Sequence, residues 1–290
     1  FRPSARSSSL CHCVTSSPKR DSSMNPDQLD VEAYLKRIDY SGALRPTAAV
    51  LEALHLAHAT HIPFENLDVL LGRPIRLDLA SLQAKLVAGG RGGYCFEHNL
   101  LFAAVLAKLG FDLKLVAAKV RHRGDKDLPR THMLLLVNVE GADWLADVGF
   151  GGEGLLLPVP FATGRETRHH AWTYRIIEEK QGLWLLQSRR KDNWANLYCF
   201  TLEAQTLADC EMANHYTSTH PDSPFVHTLT AQLPTPAARH VLRNRELVTD
   251  RGGGNVARRM LKDDDELLEV LAGTFGLRFP AGTRFPYRDA

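Results

Sequence analysis

The chain has 290 residues, enough for two or three domains with sizeable cores, and 44% hydrophobic with 23% charged residues is ordinary globular composition. A net charge of +2, with no dense basic stripe interleaved with aromatics, argues against a nucleic-acid binder. No apolar run approaches the roughly eighteen residues that a membrane span needs.

Residues 1–23 start with Phe1 and are rich in Ser, Arg and Pro, with almost no hydrophobic periodicity. They read as a disordered leader or expression scar ahead of a start at Met24, since Leu10 to Val14 is too short and polar for a secretory signal. The five cysteines, Cys11, Cys13, Cys95, Cys199 and Cys210, are odd in number, and the three outside the leader are far apart with no paired spacing. That is not a disulfide framework, and it points to a reducing cytoplasm.

From Asp27 to Gly110 the period is helical. Val31, Tyr34, Leu35 and Ile38 form one stripe, and Val50, Leu51 and Leu54 a second after a Thr47 cap. Leu79, Leu82 and Leu86 form a third, stopped by Gly89-Gly90, and Leu100 to Leu109 a fourth, closed by Gly110. After Phe111 the texture changes. Leu113–Val120, Thr131–Val139, Trp144–Val148, Trp172–Ile177, Leu183–Gln187 and Leu197–Leu202 are short runs between turn signals, as in a curled antiparallel sheet or small barrel. The segment 203–214 reads as a connecting helix. Short strands follow around Phe225–Leu229 and Glu246–Thr249, then a glycine turn at 252–254. A last helix has Asp263, Asp264 and Asp265 at its start, where the helix dipole favours negative charge. Three units result: helical over 24–110, β-rich over 111–202 and, past the connector, mixed α/β over 215–290.

The chemistry concentrates in Arg91-Gly92-Gly93-Tyr94-Cys95-Phe96-Glu97-His98-Asn99. A helix starting near Cys95 presents unsatisfied N–H groups and a positive dipole end to the thiol, which should favour the thiolate and could hold an oxyanion. The plainer alternative is a buried cysteine beside a turn. Thr131-His132-Met133 offers a base, although a histidine in an apolar strand is commonly a satisfied core residue. Asp147 follows in Trp144–Gly151, as an orienting carboxylate or as the cap of a glycine turn. A two-residue loop at Glu140-Gly141 would pair His132 with Gly149 and make Asp147 its diagonal neighbour, within reach of a hydrogen bond. Cys95, His132 and Asp147 together then read as nucleophile, base and orienter.

These stretches, with Ile62-Pro63-Phe64-Glu65-Asn66-Leu67, Asp147-Val148-Gly149-Phe150-Gly151 and Thr217–Phe225, resemble the arylamine N-acetyltransferases over most of Asp27–Phe279. The resemblance implies an α+β fold: an N-terminal helical bundle, a central β-barrel and a C-terminal α/β lid around a papain-like Cys-His-Asp core. It implies a ping-pong reaction, with acetyl-CoA as cosubstrate and an arylamine, hydrazine or arylhydroxylamine as acceptor. It also implies an Arg91–Glu65 pair that braces the Cys95 loop. Thr131, Gly149, Phe150 and Phe225 fall where that family lines its cofactor and acceptor pocket, and His98 falls at a packing position. No metal, nucleic acid or membrane partner is expected, and a monomer is the default. The competing readings are a cysteine hydrolase or transglutaminase-like enzyme with the same triad, a metal site using Cys95, Glu97, His98 and His132, and an inactive binding module.

Overall fold

A computed structural model describes residues 25–121 and 128–288, and the leader expected over 1–23 lies outside them. The first helices form where the sequence offers caps. Asp30 accepts the Ala33 N–H at 2.9 Å and opens α1 (Val31–Arg37), and Thr47 accepts the Val50 N–H to open α2 (Ala48–His61). A two-residue strand, β1 (Phe64–Glu65), precedes α3 (Leu67–Leu70). Asp78 caps α4 (Leu79–Leu82), which continues as a wider turn over Gln83–Ala88. The next helix, α5 (Cys95–Lys108), is buried without interruption from Cys95 to Leu106, as an apolar helix at the centre of a core must be. Its end is sealed by Gly110 at φ +88, where the Phe111 and Gly110 N–H groups bond back to the Leu106 and Ala107 carbonyls.

The β-rich unit comprises β2 (Asp112–Val120), β3 (His132–Val139), β4 (Ala142–Ala146), β5 (Val159–Pro160), β6 (Thr167–His169), β7 (Trp172–Lys180), β8 (Leu183–Arg190) and β9 (Asn193–Ala204). These strands form one antiparallel sheet in the order β5-β4-β3-β2-β9-β8-β7-β6. It curls into a nearly closed barrel, and Thr163 bridges to Ile176 across the gap. Strand β3 is buried on both faces: Leu134 and Leu136 enter the barrel core, while Met133, Leu135 and Val137 pack into the core around α5. That double burial explains why its sequence is almost uninterrupted hydrocarbon rather than alternating.

Three details differ from the sequence reading. The connecting helix expected over 203–214 is α6 (Leu207–Thr219), because β9 runs on to Ala204 and the Thr206–Asp209 capping pair fixes the later start. The strand expected around Phe225–Leu229 is a short turn of helix at Pro224–Val226 followed by β10 (Thr230–Pro234). The third unit also draws on the first. Its sheet, β1-β10-β11-β12-β13, adds β11 (Arg239–Arg243), β12 (Glu246–Asp250) and β13 (Val256–Met260) to a first strand from the helical segment. The last helix, α7 (Asp264–Phe275), is capped by Asp263 as its acidic start implies.

A buried ionic knot ties the loop before α5 to its surroundings. Arg91 Nη2 meets Glu65 Oε1 at 2.6 Å and Asp68 Oδ1 at 3.3 Å, while Lys85 Nζ meets Glu97 Oε1 at 2.7 Å and Asp68 Oδ2 at 3.1 Å. Arg91 also stacks on Phe279 from the last unit, 4.6 Å from the ring centre. Burial works against the Lys85 ammonium, but Glu97, Glu65 and Asp68 outweigh it and hold the charge above its ordinary range. Removing one ion from such a knot strands the others. Arg91→Met should therefore destabilise the fold by about 3–5 kcal/mol in urea unfolding, whereas a loss near zero would mean that the carboxylates find water.

Candidate active site

Cys95 is the first residue of α5, and its approach is set by close packing. A Cβ on Gly92 would lie 1.9 Å from the Pro63 carbonyl oxygen, so no side chain fits there. At the helix start Glu97 reaches back to accept the Tyr94 N–H at 3.1 Å. The Tyr94 hydroxyl is fastened to Asn214 of α6. The Cys95 thiol is 4% exposed and donates to the Thr131 carbonyl at 3.6 Å. The sulfur thus lies against the segment that carries His132.

The β3–β4 hairpin has the two-residue loop anticipated from Glu140-Gly141. Both residues adopt positive φ, 54° and 78°, and Val139 pairs with Ala142. The same register pairs Leu135 with Ala146, so its continuation sets His132 opposite Gly149 and diagonal to Asp147. The side chains meet: His132 Nε2–H donates to Asp147 Oδ2 at 2.7 Å. Nε2 being taken, Nδ1 is the ring nitrogen left to exchange a proton with the thiol. The imidazole packs against Phe150 and Tyr198, with ring centres 5.1 and 4.8 Å away.

Two further residues complete the arrangement, and the sequence reading missed both. Asn99, one turn beyond Cys95, donates to Asp147 Oδ1 at 3.0 Å and to the Met133 carbonyl at 2.8 Å, and accepts the Val148 N–H at 3.1 Å. One amide therefore pins α5 to β3 and to the turn that follows β4. Its spacing of four from Cys95 places it on the same helix face, a signal that was present. His55, from α2, accepts the Asp147 N–H at 3.1 Å and donates to the Leu156 carbonyl at 3.0 Å. Nothing local to its sequence foretold that.

Burial works against the Asp147 carboxylate, yet His132, Asn99 and the Gly149 N–H hold its pKa below the ordinary range. The Cys95 thiol goes the other way. Burial, and after it the Asp147 charge, push it well up, against the opposing pull of the Met133 and Phe96 N–H groups. The Phe96 N–H at the start of α5 pulls the thiol towards the anion, as the sequence implies, and burial opposes that pull. An isolated buried anion is too costly, whereas a thiolate formed together with an imidazolium carries no net charge.

Thr131, Gly149 and Phe150 gather around this centre. A Cβ on Gly149 would lie 2.8 Å from Cys95 Cα and 2.9 Å from Asn99 Nδ2, so its role is close approach to α5. Phe225 is one layer further out, packed on Tyr94 and Phe64 with ring centres 5.6 and 6.0 Å apart. A cavity of about 310 Å³ opens beside Thr131, His132 and Met133, walled by Arg130, Cys210 and Tyr216. Among the described residues, no three of His, Cys, Asp and Glu are grouped to hold a metal ion. His98 is a packing residue: it accepts from His58 at 2.9 Å and donates to the Pro63 carbonyl at 3.2 Å, and the Tyr34 hydroxyl donates to His58 at 2.8 Å.

Residues 47–283 match a family described as N-acetyltransferase. The chain is 42% identical over 257 residues to the arylamine N-acetyltransferase of Mycobacterium tuberculosis, a match covering 86% of this chain and 89% of that protein. It is 39% identical over 251 residues to the arylamine N-acetyltransferase / N-hydroxyarylamine O-acetyltransferase of Salmonella typhimurium, covering 85% and 88%. The solved structure of the Mycobacterium marinum arylamine N-acetyltransferase in complex with CoA superposes with a TM-score of 0.81 at 37% identity, covering 86% of this chain and 93% of that one.

Burial lowers the pKa of both His55 and His98 to about 4, so both are neutral in the folded chain. The unfolded chain binds protons first, near pH 6.5, and stability must fall as the pH drops from there towards 4, by on the order of 3 kcal/mol per group. Thermal unfolding followed from pH 7.5 to 4.5 should show that loss, and a flat profile would mean that these rings protonate in place.

Proposed function

The chain belongs to the arylamine N-acetyltransferase family, and on that footing we propose that Cys95 carries the acetyl group as it passes from acetyl-CoA to the nitrogen of an arylamine. The observation that supports this reading best is the single constellation of a thiol at a helix start, an imidazole on the adjoining strand and a carboxylate bonded to that imidazole at 2.7 Å.

His132 Nδ1 takes the thiol proton as the sulfur attacks the thioester carbonyl. The oxyanion that develops is stabilised by N–H groups at the start of α5. Collapse breaks the bond to the CoA sulfur, which leaves with the proton from His132, and Cys95 holds the acetyl group as a thioester. In the second half the amine nitrogen attacks that thioester. His132 accepts a proton from the nitrogen and returns it to the Cys95 sulfur as the amide departs. Asp147 holds the imidazole with Nδ1 towards the sulfur and offsets the imidazolium charge. Hydrazines and arylhydroxylamines suit the same step, since each offers a nucleophilic heteroatom. Thr131, Gly149, Phe150 and Phe225 are the proposed lining for cofactor and acceptor. The buried free thiols Cys95, Cys199 and Cys210 support a cytoplasmic setting, and the chain is read as acting as a monomer. No described helix is long and apolar enough to cross a membrane.

A hydrolase using the same three residues would release CoA without regard to amine. Mixed with acetyl-CoA alone, the protein should release one equivalent of CoA and stop, then turn over when an arylamine is added. Mass spectrometry should find the acetyl group on Cys95, and Cys95→Ser should abolish both phases while retaining the fold. Continuous amine-independent release would overturn the transferase reading. Asp147→Asn should lower the rate by on the order of 10³–10⁴, because an amide either turns the imidazole to the wrong tautomer or leaves it unsupported. Retention of a tenth or more of the activity would remove Asp147 from its role.

A further inference from the structure

The β6–β7 hairpin, where the last sheet meets the barrel, carries a second group of buried polar side chains that acyl transfer does not use. Thr167 pairs with Tyr174 and His169 with Trp172, so all four side chains share one face of the hairpin. Arg239 of β11 lies across them. Its guanidinium carbon is 4.1 Å from the Trp172 ring centre and 5.9 Å from that of Tyr174, and its Nη2 donates to the Gly154 carbonyl at 3.1 Å and to the Tyr174 hydroxyl. The His169 ring is 4.9 Å from Tyr174. Arg239 is 4% exposed, His169 1% and Trp172 6%.

This face is rich in donors that lack acceptors. Arg239 Nε, Trp172 Nε1, Thr167 Oγ1 and both ring nitrogens of His169 have no hydrogen-bond partner among the described residues. Nor does any described carboxylate form an ion pair with Arg239. Glu153 is joined to this group through Tyr174: its main-chain carbonyl accepts from the Tyr174 hydroxyl, one carboxylate oxygen pairs with Arg190, and the other has no partner among the described residues. Burial, reinforced by His55 and Arg239, lowers the His169 pKa to about 3, so that ring is neutral and offers one N–H. A buried guanidinium needs a counter-charge, and buried donors need acceptors. One small anion would meet both needs.

We propose that the β6–β7 face under Arg239 is a binding site for a small monovalent anion of the halide class, held by the Arg239 guanidinium with Trp172 Nε1–H, Thr167 Oγ1–H and a His169 N–H as donors. The close burial of these side chains favours a compact ion over a substrate-sized molecule. The site is independent of the transfer chemistry, yet it bears on the same loop. Arg239 and Tyr174 both hold the Gly154 carbonyl, at the far end of the segment that begins with Asp147. Occupancy would therefore stiffen the loop that presents Gly149 and Phe150.

The test is the chloride nuclear magnetic resonance line width on the whole protein, with chloride titrated against gluconate at fixed ionic strength. Saturable broadening, reversed by bromide, is expected. It should vanish in Arg239→Met and require about tenfold more chloride in Trp172→Phe, which keeps the ring and removes one donor to the ion. Trp172→Phe serves as the deciding variant if Arg239→Met does not fold. No saturable broadening in the parent protein, or broadening unchanged in Trp172→Phe, would overturn the proposal. So would broadening that arises only in Glu153→Gln, since the Glu153 carboxylate would then be the natural partner of Arg239.

Discussion

The arrangement depends on a buried carboxylate that is fully engaged. Asp147 sits at 1% exposure, a position that is costly for a charge unless every lone pair is used. His132 binds one oxygen, while Asn99 and the Gly149 N–H share the other. Those bonds come from a strand, from the helix of Cys95 and from the turn that follows β4. Satisfying the carboxylate therefore fixes the relative positions of Cys95, His132 and Asp147, the proposed nucleophile, base and orienter, in one step. His55 adds a brace from behind, because its neutral ring can accept the Asp147 N–H only while unprotonated.

Around this centre the fold uses close packing where a side chain would intrude and charge where a loop must be held. Gly149 lets the turn after β4 press onto the Cys95 backbone, and Gly92 lets the preceding loop press onto Pro63. The Arg91, Lys85, Glu65, Asp68 and Glu97 knot then anchors that loop from beneath. Buried ion pairs of this kind are weak sources of net stability, and their value here is the fixed geometry of the loop that leads into Cys95. The raised thiol pKa follows from the same burial.

Much of this was legible in the residues. The cap at Thr47, the acidic start of the last helix, the closing glycine at 110 and the Glu140-Gly141 loop are local features, each decided by a few neighbouring atoms, and each formed as read. The diagonal relation of His132 and Asp147 followed from the period of two along a strand. Other features depended on partners distant in sequence. The pairing of Phe64–Glu65 with β10, the late start of α6 and the Asn99 and His55 contacts to the Asp147 turn are examples.

The residues alone specified the succession of a helical, a β-rich and a mixed segment and the Glu140-Gly141 hairpin register, and they offered Cys95, His132 and Asp147 as candidates, because backbone propensities and the alternation of side chains act over a few positions. The direction of the Cys95 pKa shift, the three side-chain hydrogen bonds of Asn99 and the unpartnered donors beneath Arg239 came from the packed chain. Each depends on what surrounds a group once water is excluded, and that environment is assembled from segments tens to more than a hundred residues apart.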